Sequence, residues 1–224
     1  MSYDLTEDGP SGAHVRRAYI APFMDLVPEI DASAFIAPTA AIIGAVRVGA
    51  NSSIWHQVTL RGDNNYIIIG ENTNIQDNCC LHIDSRNHPT IIGDNVTVGH
   101  SALVHACTIG DGAFVGMGSM VMDGAVIEPQ GMLAAGAMLT PGKVIPAREI
   151  WAGRPAQKMR DMSDDDVANI TRAARHYVRW RAPTGSAPAA HRSTTCTGAS
   201  CRRKTDTSQA VSYTHLTLPT SFLV

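Results

Sequence analysis

Charged residues are scarce in this sequence, and long apolar runs are absent from it. Charged residues make up 17% of the 224 residues and the formal net charge is −2, which excludes the basic surface typical of nucleic-acid binding. No apolar run approaches the roughly 18 residues that a membrane span requires. The N-terminal segment MSYDLTEDGPSGAHVRR also lacks the apolar core of a signal peptide. These absences predict a cytoplasmic protein with no nucleic-acid or membrane partner.

Paired cysteines with a recognisable spacing are also missing. The chain has five cysteines, an odd number, and none of them has zinc-ribbon spacing. A disulfide framework is therefore not expected.

Branched aliphatic residues recur every six positions instead. The register breaks before Ile69 and again before Ile92, and it shortens to five between Val104 and Ile109. The residues in this register are Ile36, Ile42, Val48, Ile54, Leu60, Ile69, Ile75, Leu81, Ile92, Val98, Val104, Ile109, Val115, Val121, Ile127, Leu133, Leu139, Ile145 and Trp151. A period of six with interspersed Gly, Asn and Asp is typical of a parallel β-helix. Three such sides close one coil, and successive coils stack at the strand spacing of about 4.8 Å.

The pattern changes near residue 160. Ser163 followed by three aspartates predicts an N-cap and an acidic first turn for a helix at about 164–180. The predicted organisation is a flexible segment (1–19), a β-helix domain (20–157), a C-terminal helix packed on the prism (158–181) and a tail (182–224). The tail is predicted to be disordered. Its end, VSYTHLTLPT, resembles a translated sequencing adapter, so residues 211–224 are predicted to be an assembly artefact.

Three histidines are singled out by their phase in the repeat. His82 and His105 each directly follow the aliphatic of the same side in adjacent coils, so both imidazoles can converge on one ion. His100 is out of phase with them and could reach the ion of another subunit, which cyclic packing of three prisms would permit. Three neutral imidazoles with one open position form a catalytic zinc site, which supplies hydroxide at neutral pH.

Six short motifs together resemble those of γ-class carbonic anhydrase-like proteins over about residues 20–180. They are NIQD (74–77), LH (81–82), VTVGH (96–100), VHACTIGD (104–111), VGMGS (115–119) and WAGRPA (151–156). The resemblance implies a mainly β fold, a left-handed parallel β-helix with a C-terminal α-helix, assembled as a homotrimer. It also implies Zn²⁺, with Fe²⁺ or Co²⁺ as alternatives, held by His82, His100 and His105 across the subunit interface.

Other positions follow from the same resemblance. Arg61 and Asp63 match an interface pair, while Gln76 and Asp77 match residues beside the metal that orient the bound water and support its network. The archetypal enzyme has a glutamate where Asn64 and Asn65 stand. It also has a long acidic loop where this chain has only IDSRNHP. His88 in that loop is a candidate proton relay, since its ordinary pKa lies near 6.5.

The leading prediction is reversible hydration of CO2 to bicarbonate by zinc-bound hydroxide. One alternative is a hexapeptide-repeat acyltransferase, whose chemistry needs a single catalytic histidine, or a thioesterase that uses the same hydroxide. Another is a trimeric assembly protein with weak activity, which the short loop and the missing glutamates favour.

Overall fold

The computed structural model describes residues 17–84 and 86–180, together with the backbone of two short strands at 7–8 and 14–15. The predictions made for 182–224, and for most of 1–19, lie outside these described residues. In the described part of the chain, no helix has both the length and the apolar character that crossing a bilayer demands.

Twenty-two short strands precede the one described helix. The first eleven strands are β1 (Glu7–Asp8), β2 (His14–Val15), β3 (Tyr19–Ala21), β4 (Glu29–Ile30), β5 (Phe35–Ile36), β6 (Ala41–Val48), β7 (Ser53–Ile54), β8 (Thr59–Ile69), β9 (Asn74–Ile75), β10 (Cys80–His82) and β11 (Thr90–Ile92). The others are β12 (Thr97–Val98), β13 (Leu103–His105), β14 (Thr108–Ile109), β15 (Phe114–Val115), β16 (Met120–Val121), β17 (Val126–Ile127), β18 (Met132–Leu133), β19 (Met138–Leu139), β20 (Val144–Ile145), β21 (Glu149–Ala152) and β22 (Gln157–Asp161).

The parallel strands form three ladders, one on each side of a prism. Ladder 1 comprises β3, the first part of β6, the first part of β8, β10, β13, β16 and β19. Ladder 2 comprises β4, the second parts of β6 and β8, β11, β14, β17 and β20. Ladder 3 comprises β5, β7, β9, β12, β15, β18 and β21. The described residues thus form a parallel β-solenoid of about seven coils, which confirms the predicted fold class.

The six-residue register supplies the interior of the prism. Along ladder 1, Leu60 pairs with Leu81, and Leu81 pairs with Val104. All three side chains are completely buried. Burying each aliphatic contributes about 1.5–3 kcal/mol, so the stacked rows provide most of the driving force for coiling.

Small residues are needed where neighbouring coils approach at the corners. A Cβ added to Gly99 would lie 2.7 Å from the Met117 backbone nitrogen, and one added to Gly116 would lie 2.3 Å from that of Ala135. No side chain fits at such distances. The glycines that follow the aliphatics therefore set how tightly the coils stack, and Gly99 does so immediately before His100.

The top of the solenoid differs from the repeat below it. Strand β22 pairs antiparallel with β21, although the hexapeptide pattern predicted no strand at 157–161. The segment QKMRD has no aliphatic in the six-residue register, and its strand ends the parallel ladder by doubling back.

Helix α1 (Asp164–Trp180) begins where the capping signal placed it. The Asp166 amide donates to Ser163 Oγ at 3.2 Å, and the Ser163 amide donates to Asp166 Oδ2 at 2.9 Å. Arg160 donates two hydrogen bonds to the same carboxylate, and they hold the pKa of Asp166 well below its usual range. The helix packs on β9 and β12, and the ring of Tyr177 lies 5.5 Å from that of Trp55. Ladder 3 is therefore the side that the helix covers.

Candidate metal and catalytic site

His82 and His105 lie side by side on the outside of ladder 1. They are Cα partners in the parallel pairing of β10 with β13, which confirms the position predicted from their phase. His82 Nδ1 and His105 Nε2 are 3.1 Å apart, and the ring centroids are 5.2 Å apart. Both side chains are partly buried, so the pair forms a half-enclosed group at one edge of the prism.

A carboxylate lies at the far nitrogen of each ring. His82 Nε2 is 3.2 Å from Asp63 Oδ1, and His105 Nδ1 is 2.6 Å from Asp123 Oδ1. Arg61 forms an ion pair with the other oxygen of Asp63. The four side chains make a continuous row, Asp63–His82–His105–Asp123, that spans four successive coils.

Burial favours the neutral form of His82. Burial lowers the pKa of His82, and the Arg61 and His105 charges act in the same direction, while Asp63 opposes them. Burial alone would raise the pKa of Asp63, but hydrogen bonds from His82 and Arg61 and the guanidinium charge outweigh it and lower that pKa. A neutral imidazole beside an ionised carboxylate is the state that binds metal ions.

The hydrogen-bonding chemistry of the row fits a cation between the two rings. A carboxylate only accepts, so each ring places its N–H on the nitrogen facing its aspartate. When both rings are neutral, the two facing nitrogens, His82 Nδ1 and His105 Nε2, both present lone pairs, and they are 3.1 Å apart. Two nitrogens bound to one tetrahedral zinc stand roughly 3.3 Å apart. The donors and their spacing therefore suit zinc.

His100 lies at a different corner of the prism. It follows β12, between ladders 3 and 1, whereas His82 and His105 end their strands on ladder 1. Its Nδ1 is 3.0 Å from Asp77 Oδ2 on the coil below, and both side chains are partly exposed. Within the described residues of this single chain, no three or more His, Cys, Asp and Glu side chains group closely enough to hold a metal ion.

Gln76 is linked to His100 through the backbone. The Gln76 side chain is buried, its Nε2 donates to Asn74 Oδ1 at 3.1 Å, and its Oε1 accepts from the His100 amide at 3.2 Å. The structure thus brings Gln76, Asp77 and His100 together at one corner. The catalytic roles of Gln76 and Asp77 stay predictions.

The loop that carries His88 folds back towards the row. The His88 carbonyl accepts from the Asp84 amide at 3.1 Å, and Asn65 donates to the Asp84 carbonyl at 3.1 Å. The exposed imidazole of His88 lies against Gly124, since a Cβ added there would be 3.3 Å from His88 Nε2. Gly124 directly follows Asp123, so His88 is placed near the solvent end of the row.

Two cysteines near the histidines belong to the core. Cys79 and Cys107 are buried in the main apolar cluster. Burial raises the pKa of Cys79 to about 12 and raises that of Cys107 further. Both side chains are enclosed by apolar neighbours, where they fill the interior as packing residues.

Asp123 is the site residue that the sequence interpretation missed. It lies two positions after Val121, at the corner one coil above His105. The register could have located that corner, but it does not say which way a turn side chain points.

The site and the fold together define a hexapeptide-repeat solenoid with a paired-histidine, carboxylate-supported site. No family model matches the chain. It is 48% identical over 158 residues to "Gamma carbonic anhydrase 1, mitochondrial" of Arabidopsis thaliana. The match covers 68% of this chain but only 58% of the plant protein. The chain is 42% identical over 159 residues to "Carbonic anhydrase" of Geobacillus kaustophilus, covering 71% of this chain and 87% of that protein.

A solved structure agrees with these relatives. The hexapeptide transferase family protein from Anaplasma phagocytophilum is 48% identical, with a TM-score of 0.69, covering 72% of this chain and 95% of that one. The chain belongs to the γ-class carbonic anhydrase-like family of hexapeptide-repeat proteins.

Proposed function

We propose that this chain is a zinc-dependent γ-class carbonic anhydrase that hydrates CO2 reversibly to bicarbonate. The observation that carries the proposal is the convergence of His82 Nδ1 and His105 Nε2 at 3.1 Å, each ring backed by a carboxylate. Family membership supports the same activity. When bound, zinc would acidify a water molecule so that hydroxide is available near neutral pH.

The ligands would come from two subunits of a homotrimer. His82 and His105 of one subunit supply two imidazoles, and His100 of the next subunit supplies the third. The outer side of ladder 1 next to the histidines carries the half-buried apolar side chains Leu103 and Met120, which suit a subunit contact. In this arrangement Arg61 and Asp63 lie at the interface and fix its register by their ion pair.

The chain's own groups have distinct tasks in this proposal. Asp63 and Asp123 each accept the N–H of one ring, which fixes the ring orientations and leaves the two facing nitrogens as the metal donors. Asp77 orients the ring of His100, and Gln76 holds its backbone. The second N–H of the Gln76 amide is the group we assign to orienting the attacking water.

Imidazole ligands also bind iron and cobalt. Zn²⁺ is the metal we propose, with Fe²⁺ or Co²⁺ as alternatives that the same site would accept. We propose a cytoplasmic location, with no nucleic-acid or membrane partner, although the plant relative is mitochondrial by name.

Metal removal tests the proposed function. The purified protein is expected to contain about one zinc per chain and to hydrate CO2 in stopped-flow assays. Treatment with a strong chelator should abolish hydration, and zinc should restore it, because the hydroxide depends on the metal. Zinc is measured by mass spectrometry on the oligomer. Stoichiometric zinc without hydration would contradict the enzyme proposal, and protein without any bound metal would contradict both parts.

A transferase is the second candidate, because the Anaplasma structure is named for the hexapeptide transferase family. A thioesterase and a weakly active trimeric assembly protein are further alternatives. An acyltransferase would transfer an acyl group from acyl-coenzyme A to its acceptor and release coenzyme A, after chelation as well as before it. A thioesterase would lose its activity with the metal but prefer thioesters to CO2, and an assembly protein would form trimers without turnover.

Loss of His88 is expected to slow turnover without affecting the capture of CO2. Its exposed ring lies against Gly124, beside the carboxylate end of the row, where it can pass a proton to buffer. We expect His88→Ala to lower kcat about 10-fold at low buffer concentration while kcat/KM stays unchanged. Added imidazole should restore kcat. His176→Ala, on helix α1, is the matched control; an equal loss of kcat in both variants would remove the relay role.

A further inference from the structure

The backbone around Asp123 is fixed by the coils on both sides. The Gly142 amide donates to the Asp123 carbonyl at 2.9 Å, and the Gly124 amide donates to the Ala106 carbonyl at 2.8 Å. The turn closes where the Ala125 amide donates to the Met122 carbonyl at 3.0 Å. Gly124 has a φ of 66°, in the left-handed region that glycine adopts without strain. The Asp123 carboxylate is therefore held in place by the solenoid and not by a mobile loop.

The carboxylate of Asp123 selects one form of the His105 ring. The distance of 2.6 Å between Asp123 Oδ1 and His105 Nδ1 is that of a short, charge-assisted hydrogen bond. An ionised carboxylate cannot donate, so the ring proton must be on Nδ1. In the neutral ring, Nε2 is then left with a free lone pair, and this is the nitrogen that faces His82.

Asp63 forms a longer hydrogen bond with the ring of His82 than Asp123 forms with His105. Its distance to His82 Nε2 is 3.2 Å, and the same carboxylate forms an ion pair with Arg61. The family resemblance also assigns Asp63 to the subunit interface. Asp123 is 44% exposed, which means that replacing it removes little buried contact. The two carboxylates are thus not equivalent, and the shorter bond belongs to the residue that the motifs did not single out.

We propose that Asp123 is a positioning residue for the metal site, which fixes His105 in the form with its proton on Nδ1 and its Nε2 aimed at the ion. This inference rests on the proposed metal function and deepens it. Asp123 acts through His105 and does not itself bind the metal or the substrate. Carboxylates that support a ligating histidine in this way strengthen its hold on the ion.

Asp123→Asn is the test. The amide keeps the shape of the side chain but can present either its oxygen or its NH2 to the ring, so it no longer selects one form. Zinc affinity, measured by competition with a chelator, is expected to fall 10- to 100-fold. In metal-free protein labelled with ¹⁵N-histidine, NMR should show His105 shifting from the Nδ1–H form to a mixture. Asp123→Glu should recover part of the affinity, because it restores an acceptor-only partner.

Asp165→Asn is the matched control, since Asp165 is an exposed aspartate in the first turn of α1 and carries the same charge. It should leave both zinc affinity and the His105 spectrum unchanged. Equal zinc affinity in wild type and Asp123→Asn would overturn the role of Asp123 alone. An unchanged His105 spectrum in Asp123→Asn would do the same. Wild-type protein that takes up no zinc would overturn the proposed function and this inference together.

Discussion

Mixed assembly of His100→Ala chains with His105→Ala chains is expected to restore about a quarter of the wild-type zinc sites. Each variant is expected to be inactive when it assembles alone. Each variant alone lacks one imidazole at every site. In a mixed cyclic trimer, one junction joins an intact His82–His105 pair to an intact His100. About three quarters of the trimers from an equal mixture contain both variants, and each of these has one complete site of three.

The measurement is zinc content and CO2 hydration after the two variants are co-expressed or unfolded and refolded together. A matched mixture of His82→Ala with His105→Ala should regain nothing, because the proposal takes both residues of the pair from one chain. Recovery of zinc and of CO2 hydration in both mixtures, or in neither, would contradict a site shared between subunits. The geometry behind this expectation is the separation of His100 from the His82–His105 pair on different corners of the prism.

Leu133→Ala is expected to destabilise the solenoid by about 2–5 kcal/mol. Leu133 is completely buried and pairs with Val115 on the coil below and with Trp151 on the coil above. Removing its side chain leaves a cavity between two coils, and neighbouring coils cannot close it without breaking their ladder hydrogen bonds. Because each coil contacts only its neighbours, the loss weakens the top of the prism most.

The free energy of unfolding is measured by denaturant titration at one fixed protein concentration, since oligomers gain stability with concentration. Leu26→Ala is the matched control, because Leu26 is 38% exposed. Its cost should stay below about 1 kcal/mol. Equal losses for both variants would mean that the six-residue register does not mark the stabilising core.

The fold could be predicted in detail because one physical rule, a buried aliphatic every sixth residue, acts along the whole prism. The rule placed Leu81 and Val104 on the same ladder despite the IDSRNHP loop that interrupts the register between them, and so placed His82 beside His105. It could not predict the direction of the Asp123 side chain, which depends on a turn that Gly124 permits. It also missed β22, whose pairing with β21 follows from the end of the repeat.

The loop between β10 and β11 has little influence on the spacing of the His82–His105 pair. Both residues stand on rungs whose separation is fixed by ladder hydrogen bonds, whatever length of chain leaves the prism between them. Insertions or deletions there change only the closure entropy, by about 0.6 kcal/mol for each doubling of length. The loop can thus change in length or gain acid–base groups without moving the His82–His105 pair. Such a scaffold would allow the proton-transfer groups to change independently of the proposed metal ligands.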